Sequence, residues 1–424
     1  MREQAIADLL GNIPDLTRYE TLYKHFHSHP ELSLQEKETA SAIASHLKSL
    51  NAGYELHTSI GGHGLAGVLE NGSGPTVLLR ADMDALPVLE LTGLPYASKV
   101  TMKDVADDTE KPVMHACGHD MHVTCLLAAA EHLAGIKSAW TGTLIVLFQP
   151  NEERAGGAKA MVDDDLYSKI PVPDVVLGQH VMPLRSGRVG NRPGTIMGAA
   201  DSFKVKLYGK GSHGSMPHRS IDPVVLAANV VLRLQNIVSR EIDPAEMAVV
   251  TVGSVSVGST ENIIADHAVL KVNTRTTTPA VRERVLAALR RIVEAECEAS
   301  NSPKAPLIEP TSRFPLTIND EDIASQLSSS FSKFFKEDFD PSTRLINGSE
   351  DVSILATSIV RPYNFWFFGG VDQELWDRAE KEGRLFEDVP ANHSAYFAPV
   401  IQPTLRAGVE ALCVGALTFL EQQY

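Results

Sequence analysis

Residues 142–153 read GTLIVLFQPNEE. The unbroken apolar run Leu144 to Phe148 is too short for a helix and has no polar alternation. That is the pattern of a strand covered on both faces, as in the parallel sheets of α/β proteins. A second such run, PTVLLRADMDALP at 75–87, has the same texture. Both runs carry carboxylates toward their ends: Asp82 and Asp84 in one, Glu152 and Glu153 in the other. In open α/β sheets ligands gather beyond the carboxyl ends of strands, so those four acids are expected at a site.

Between the two strands lies MHACGHDMH, 114–122, followed by VTCLLAAAEHLA, 123–134. The second segment reads as a helix, so the cysteine and histidine cluster occupies a loop and the helix start. Upstream, Ser33 and Glu36 in SLQE have the spacing of a capping box, and Ala40, Ile43, Ala44, Leu47 and Leu50 follow at helical intervals; a helix over 33–50 is expected. Around residue 199 the texture changes. A strand (203–209), a helix (222–240), strands at 248–257 and 267–276, a helix (280–299) and a short strand near LIEPT follow in order. This is the β-α-β-β-α-β order of the ferredoxin-like split motif. The reading is an inserted α+β domain at 199–310, with 1–198 and 311–424 forming the first, α/β domain. To the latter return the helix-like DEDIASQLSSSFSKFF, a strand NFWFFGG and a final helix near 401–421.

The 424 residues have 43% hydrophobic content, ample for buried cores, and a net charge of -15 spread along the chain. That charge argues against a nucleic-acid or anionic-membrane partner and for small molecules or peptides. MREQAIADLLGNIPDL has no secretory apolar run, and no stretch nears the ~20 apolar residues of a membrane span. Cys117, Cys125, Cys297 and Cys413 are scattered, which fits a reducing, cytoplasmic compartment.

Cys117 and His119 are two apart, natural for a loop that wraps an ion, and thiolate with imidazole suits zinc or a similar divalent metal. The pair alone is weak, since a histidine cluster beside a helix is often structural. Glu152–Glu153–Arg154 could equally be a solvated loop, and a lone His180 or His393 a core or surface histidine. Together these six residues at strand and loop ends point to a site. One of the adjacent glutamates can ligate while the other holds and moves a proton.

The segments HSHPELSLQE, RADMDALP, MHACGHDMH, QPNEERAGGAKAMVDD, GQHV, GKGSHGSMPHRSIDPV, GSEDVSIL and NHSAYFAP resemble, in order and spacing, those of metallopeptidase family M20. The similarity is greatest to its subfamily D amidohydrolases, which include aminoacylases, hippurate hydrolases and indole-acetyl-amino-acid hydrolases. It runs from about residue 20 to 415. The resemblance implies a zinc-peptidase-like catalytic domain with a mixed sheet flanked by helices, and an inserted dimerisation or lid domain that makes a homodimer. It implies metal ligands at Cys117, His119, Glu153, His180 and His393, with Cys117 bridging two ions, and a catalytic base at Glu152. Asp84 matches the carboxylate that orients a metal-binding side chain, while Asp82 stands where many members have a histidine ligand. His213 matches a histidine that reaches the partner subunit's active site to polarise the substrate carbonyl. Asn262 and Arg275 match substrate-holding positions, although the segment reads IIAD where the usual pattern has a proline. His115 and His122 are left supporting roles, and Asp120 that of orienting a ligand histidine.

The implied chemistry is hydrolysis of an N-acyl amino acid to a carboxylic acid and a free amino acid, using two divalent ions per subunit, zinc or manganese, with cobalt also admissible. Alternatives are a dipeptidase, a biosynthetic amide-bond enzyme, or an inactive metal-binding scaffold. Leu345, Asn347, Trp366 and Phe367 are candidates to line a pocket, with core the better reading for the aromatics.

Overall fold

The computed structural model describes residue 6, residues 9–10 and residues 15–422; most of the N-terminal stretch read above for secretory character lies outside them. The elements that matter for the site follow in chain order. First come α1 (Thr17–Ser28), α2 (Lys37–Ser49), β1 (Glu55–Ile60), β2 (Gly64–Asn71), β3 (Thr76–Asp82), α3 (His119–Gly135), β4 (Trp140–Gln149) and β5 (Val175–Arg185). A second group comprises β6 (Ala199–Tyr208), β7 (Ser212–His213), α4 (Pro223–Asn236), β8 (Ala248–Val257), β9 (Ile263–Ile264), β10 (His267–Thr276), α5 (Pro279–Ala299) and β11 (Leu307–Phe314). The chain then forms α6 (Glu321–Phe335), β12 (Tyr363–Val371) and α7 (Thr404–Phe419). Two compact units result. One holds the residues up to Ile196, Ile318–Arg344 and those from Asp351 onward; the other holds Met197–Thr317 with Leu345–Glu350.

The first unit is built on a mixed sheet whose main strands run in the order β1-β2-β4-β3-β5-β12. β4, β3, β5 and β12 are mutually parallel, while β1 and β2 are antiparallel additions at one side. The apolar run of β4 is buried along almost its whole length, as expected for a strand covered on both faces. α3 is buried on nearly every residue, which matches its all-round apolar sequence. It packs against α1, α2, α7 and the sheet. Truncating one of its core leucines, Leu126 or Leu127, would cost about 2–5 kcal/mol. In register, Asp82 lies opposite Gln149 and Phe367 opposite His180, so the carboxyl ends of the central strands form one rim.

The helix expected over 33–50 begins later, at Lys37, and Ser33 does not cap it. Leu34 takes a left-handed conformation (φ 72), which turns Ser33 away. Its hydroxyl instead donates to Asp84 Oδ2 at 2.6 Å, and Glu36 Oε1 accepts the Leu34 and Asn151 amides at 3.0 and 2.8 Å.

The second unit carries an antiparallel sheet ordered β8-β10-β6-β11, with α4 and α5 packed on it and on each other. Alternate residues of β10 are buried, and Leu270 and Val272 meet Leu226, Val230, Leu289 and Ile292 from the helices. Asp222 and Thr278 cap α4 and α5 by accepting the Val224 and Val281 amides, each cap contributing about 1 kcal/mol. β11 runs to Phe314, which carries this unit beyond the boundary expected at 310. Among the described residues, no helix is long and apolar enough to cross a membrane.

Candidate functional site

Two glycines shape the backbone that presents the chemistry. Gly118 precedes α3 with φ +81, and a Cβ there would lie 2.4 Å from Val181 Cγ1, so no other residue fits without displacement. It turns the loop so that Cys117 and His119 both enter the site. After β4 the chain doubles back, the Gly156 and Gly157 amides donating to Asn151 O at 3.2 and 3.0 Å. A Cβ on Gly157 would sit 1.6 Å from Pro150 O. The turn holds Glu152 and Glu153 above the strand end. The late loop is tied down where the His393 amide donates to Ala116 O at 2.8 Å, and Asn392 Nδ2 donates to Val181 O at 3.2 Å.

Five side chains expected as metal ligands, together with Glu152, converge here. Ligand atoms of Cys117, His119 and His180 lie within 4.8 Å of one another, as do those of Cys117, Glu153 and His393, and those of His119, Glu152 and Glu153. Cys117 Sγ is 3.4 Å from His180 Nε2. Glu153 Oε1 is 3.5 Å from His393 Nε2 and 3.8 Å from His119 Nε2. All are buried or nearly so except the His393 side chain, which is 55% exposed.

The electrostatics describe a pocket short of positive charge. Burial raises the Glu153 carboxyl to about 8, with Asp84 and Asp82 adding to the rise against the pull of His119. Burial, then Glu153, Glu152 and Asp82, push the Cys117 thiol well above its ordinary value. Burial alone would lower His119, but Asp82, Asp84 and Glu153 outweigh it and hold the imidazole up at about 10. Although buried and 3.4 to 3.8 Å from three carboxylates, neither His119 nitrogen makes a hydrogen bond, and Glu153 Oε1 makes none either. Orphaned imidazole and carboxylate atoms beside a thiol, aimed into one space, are the donor set a divalent cation satisfies.

Around this cluster stand the carboxylates that the sequence placed near it, together with Arg80, which it did not single out. Asp84 Oδ2 accepts Ser33 Oγ and, at 3.0 Å, the Glu153 amide, so it fixes the turn that carries both glutamates. Arg80, 1% exposed, donates to Asp82 Oδ2 and Gln149 Oε1 at 2.9 Å each and reaches Asp351 Oδ1 at 3.5 Å. Asp120 does not orient a ligand histidine. Its Oδ2 sits 2.7 Å from His27 Nδ1, whose other nitrogen is 3.0 Å from Glu90 Oε1. The reason is geometric: α3 turns Asp120 toward α1, away from the rim that His119 faces. The aromatics Trp366 and Phe367 are fully buried core.

In the second unit, His213 pairs with Ile263 across β7 and β9, and Asn262 lies in the turn just before β9, where the Gly214 amide donates to Asn262 O at 2.8 Å. His213 is exposed, and its Nδ1 accepts the Ser215 amide at 3.1 Å, which leaves the proton on Nε2. Arg275 donates to Asn273 Oδ1 (3.1 Å), Ser349 Oγ (2.8 Å) and Asn347 O (3.4 Å), all neutral groups.

The sequence signature described as Peptidase family M20/M25/M40 matches residues 78–388. The chain is 42% identical over 271 residues to a hippurate hydrolase of Campylobacter jejuni, covering 63% of this chain and 67% of that one. It is 36% identical over 355 residues to an N-acetyl-L-cysteine deacetylase of Bacillus subtilis, covering 83% and 80%. Among solved structures it resembles the Bacillus subtilis YXEP protein, described as a dinuclear metal binding peptidase from the M20 family. The TM-score is 0.72 at 25% identity over 95% of this chain and 97% of that one. With the signature spanning most of its length, the chain belongs to peptidase family M20/M25/M40.

Proposed function

We infer that the chain is a metal-dependent amidohydrolase that cleaves N-acyl amino acids into a carboxylic acid and a free amino acid. Its relatives named for hippurate hydrolysis and N-acetyl-cysteine deacetylation share that reaction class. The observation that carries the reading is the convergence of Cys117, His119, Glu153, His180 and His393 on one polar space beside Glu152.

Those five side chains would hold one or two divalent ions, zinc or manganese, and Cys117 belongs to two of the donor groups. A divalent ion held there would supply polarisation of the acyl carbonyl and a lowered pKa, toward ~7, for water. Glu152, 5% exposed at the strand end, takes a proton from the attacking water and returns it to the leaving nitrogen. Asp84 keeps Glu152 in place by holding the adjacent Glu153 amide. His213 donates its Nε2–H to the developing oxyanion, worth about 3–4 kcal/mol for one such donor. Arg275, half-buried with only neutral partners, is suited to the α-carboxylate of the substrate, and Asn262 to its carbonyl.

The enzyme works as a homodimer through the second unit. Support comes from β8, an edge strand with Val249 and Val255 exposed, and from α4, where Val225 and Leu232 are 58% and 70% exposed. All four cysteines are unpaired, which fits a cytoplasmic setting.

The test is metal analysis of the purified protein followed by a panel of N-acyl amino acids and dipeptides assayed with zinc, manganese or cobalt. Turnover of acyl-amino acids above dipeptides is expected. No turnover of either by metal-loaded protein would overturn the reading in favour of a scaffold. Mixing His213→Ala with Glu152→Ala protein should restore activity in heterodimers, and verified heterodimers without activity would remove the cross-subunit role of His213.

A further inference from the structure

Three groups of potential ligands share His119, and two of them bring in a further histidine: Cys117–His119–His180 and Asp82–His119–His122. Hydrogen-bond direction separates them. The Val181 amide lies 2.8 Å from His122 Nε2, and a backbone N–H can only donate. His122 Nε2 therefore offers its lone pair and the ring proton is on Nδ1. That Nδ1–H donates to Asp82 Oδ1 at 2.5 Å. Both nitrogens of His122 are committed, and neither is free for an ion.

His180 has the opposite polarity. Its Nδ1 lies 2.8 Å from Val181 O, which can only accept, so Nδ1 carries the proton and the lone pair is on Nε2. That lone pair is on the nitrogen 3.4 Å from Cys117 Sγ. Val181 is thus gripped at both polar groups, its N–H by His122 and its C=O by His180 and Asn392. Behind His122, Asp82 is itself anchored by Arg80.

We propose that His122 and Asp82 are positioning residues of the metal centre: Asp82 fixes the tautomer of His122, His122 fixes Val181, and Val181 presents His180 with a deprotonated Nε2. The proposal rests on the metal-centre reading above. It gives Asp82 a role that needs no bond to an ion, and it makes the tautomer of a non-ligand histidine a determinant of metal affinity. Partners of this kind, one step behind the ligands, commonly account for 10–100-fold in affinity.

The test is zinc affinity, measured by competition with a chromogenic chelator, together with nitrogen-15 spectra of the histidine rings. His122→Phe fills the space but leaves the Val181 amide without an acceptor, and zinc binding should weaken about tenfold or more. His122→Gln, whose side-chain carbonyl can accept that amide, should restore affinity close to wild type. Asp82→Asn keeps its oxygen on Arg80 and turns an amide donor toward His122. This forces the ring proton to Nε2, against the Val181 N–H, and zinc binding should weaken as in His122→Phe.

The wild-type spectrum should show His122 protonated at Nδ1 and His180 likewise. Wild-type zinc affinity in folded His122→Phe or Asp82→Asn protein overturns the proposal. So does equal loss in His122→Phe and His122→Gln, or a His122 ring protonated at Nε2. If His122→Phe does not fold, Asp82→Asn and the spectrum decide. Wild-type protein that binds no zinc, manganese or cobalt overturns instead the metal reading on which this rests.

Discussion

Replacing Arg80 by methionine should be among the most damaging single changes available to the first unit. The guanidinium is 1% exposed and faces two carboxylates, Asp82 and Asp351, whose side chains are fully buried. Methionine matches the stem but provides no charge and no donors. Asp351 keeps the Gln149 amide at 2.6 Å and the Ala158 amide at 3.1 Å, whereas Asp82 keeps His122 at 2.5 Å and His119 at 3.6 Å. Breaking a buried ion pair from one side costs about 3–5 kcal/mol, because the remaining charge is left uncompensated. At roughly 2–4 °C per kcal/mol for a unit of this size, the first melting transition should fall by about 6–20 °C.

The pH dependence identifies the cause. Burial acts to raise Asp82, but His119, Arg80 and His122 outweigh it and hold the carboxyl well below its ordinary value. Its contribution is present above the unfolded pKa and is lost as pH falls through the depressed folded one. Without Arg80 that depression shrinks, so the deficit of Arg80→Met should be full from pH 7 down to the ordinary 3.8 and narrow only as pH falls below it. Calorimetry of chelator-treated protein at several pH values reads this directly. A fall below about 1 kcal/mol, under the range for breaking such a pair, would refute the reasoning; so would a deficit that does not change with pH.

Glu152→Gln should lower kcat by about 10²–10⁴-fold with bound metal unchanged, measured by steady-state kinetics and metal analysis; full turnover would remove Glu152 as the base. Gly118→Ala forces a side chain into left-handed backbone and against Val181, and should destabilise by about 2–4 kcal/mol in denaturant unfolding while weakening zinc binding. Glu410, on α7, is raised by burial, partly opposed by Arg406, to about 7. Its stability contribution is complete below the ordinary 4.5 and is lost as pH rises through about 7, an effect on the order of 3 kcal/mol. Glu410→Gln should therefore melt like wild type at pH 4 and above it at pH 8, and an equal difference at both would contradict this.

What the sequence could show follows from how far each signal reaches. β4 and α3 announce themselves because covering both faces leaves a continuous apolar record in neighbouring residues. Cys117 and His119 are legible because they lie two apart in one loop, a spacing that shows in the sequence without any distant contact. Ser33 and Glu36 misled because their local pattern fits a capping box, while the bond Ser33 makes is to Asp84, 51 positions away. Arg80 sits inside an apolar run, and nothing near it reveals that Asp351, 271 positions on, meets it. Asp120 and His27, 93 apart, pair for the same reason. The direction of the His122 and His180 hydrogen bonds depends on the backbone of Val181, which composition and spacing do not encode.

His393 differs from the other donors in being more than half exposed, on a left-handed backbone (φ 69) in a loop. The donor set is therefore unequal in time as well as in space. On the proposed metal reading, a ligand that solvent can reach would detach and rebind without disturbing the other four, so ions coordinated through it should exchange far faster than those held by Cys117, His119 and His180. Protein purified in dilute chelator would shed its metal in two kinetic phases. The ion occupying the faster position would then report the buffer in which the enzyme was last kept, so preparations of one sequence could differ in specific activity through their history alone.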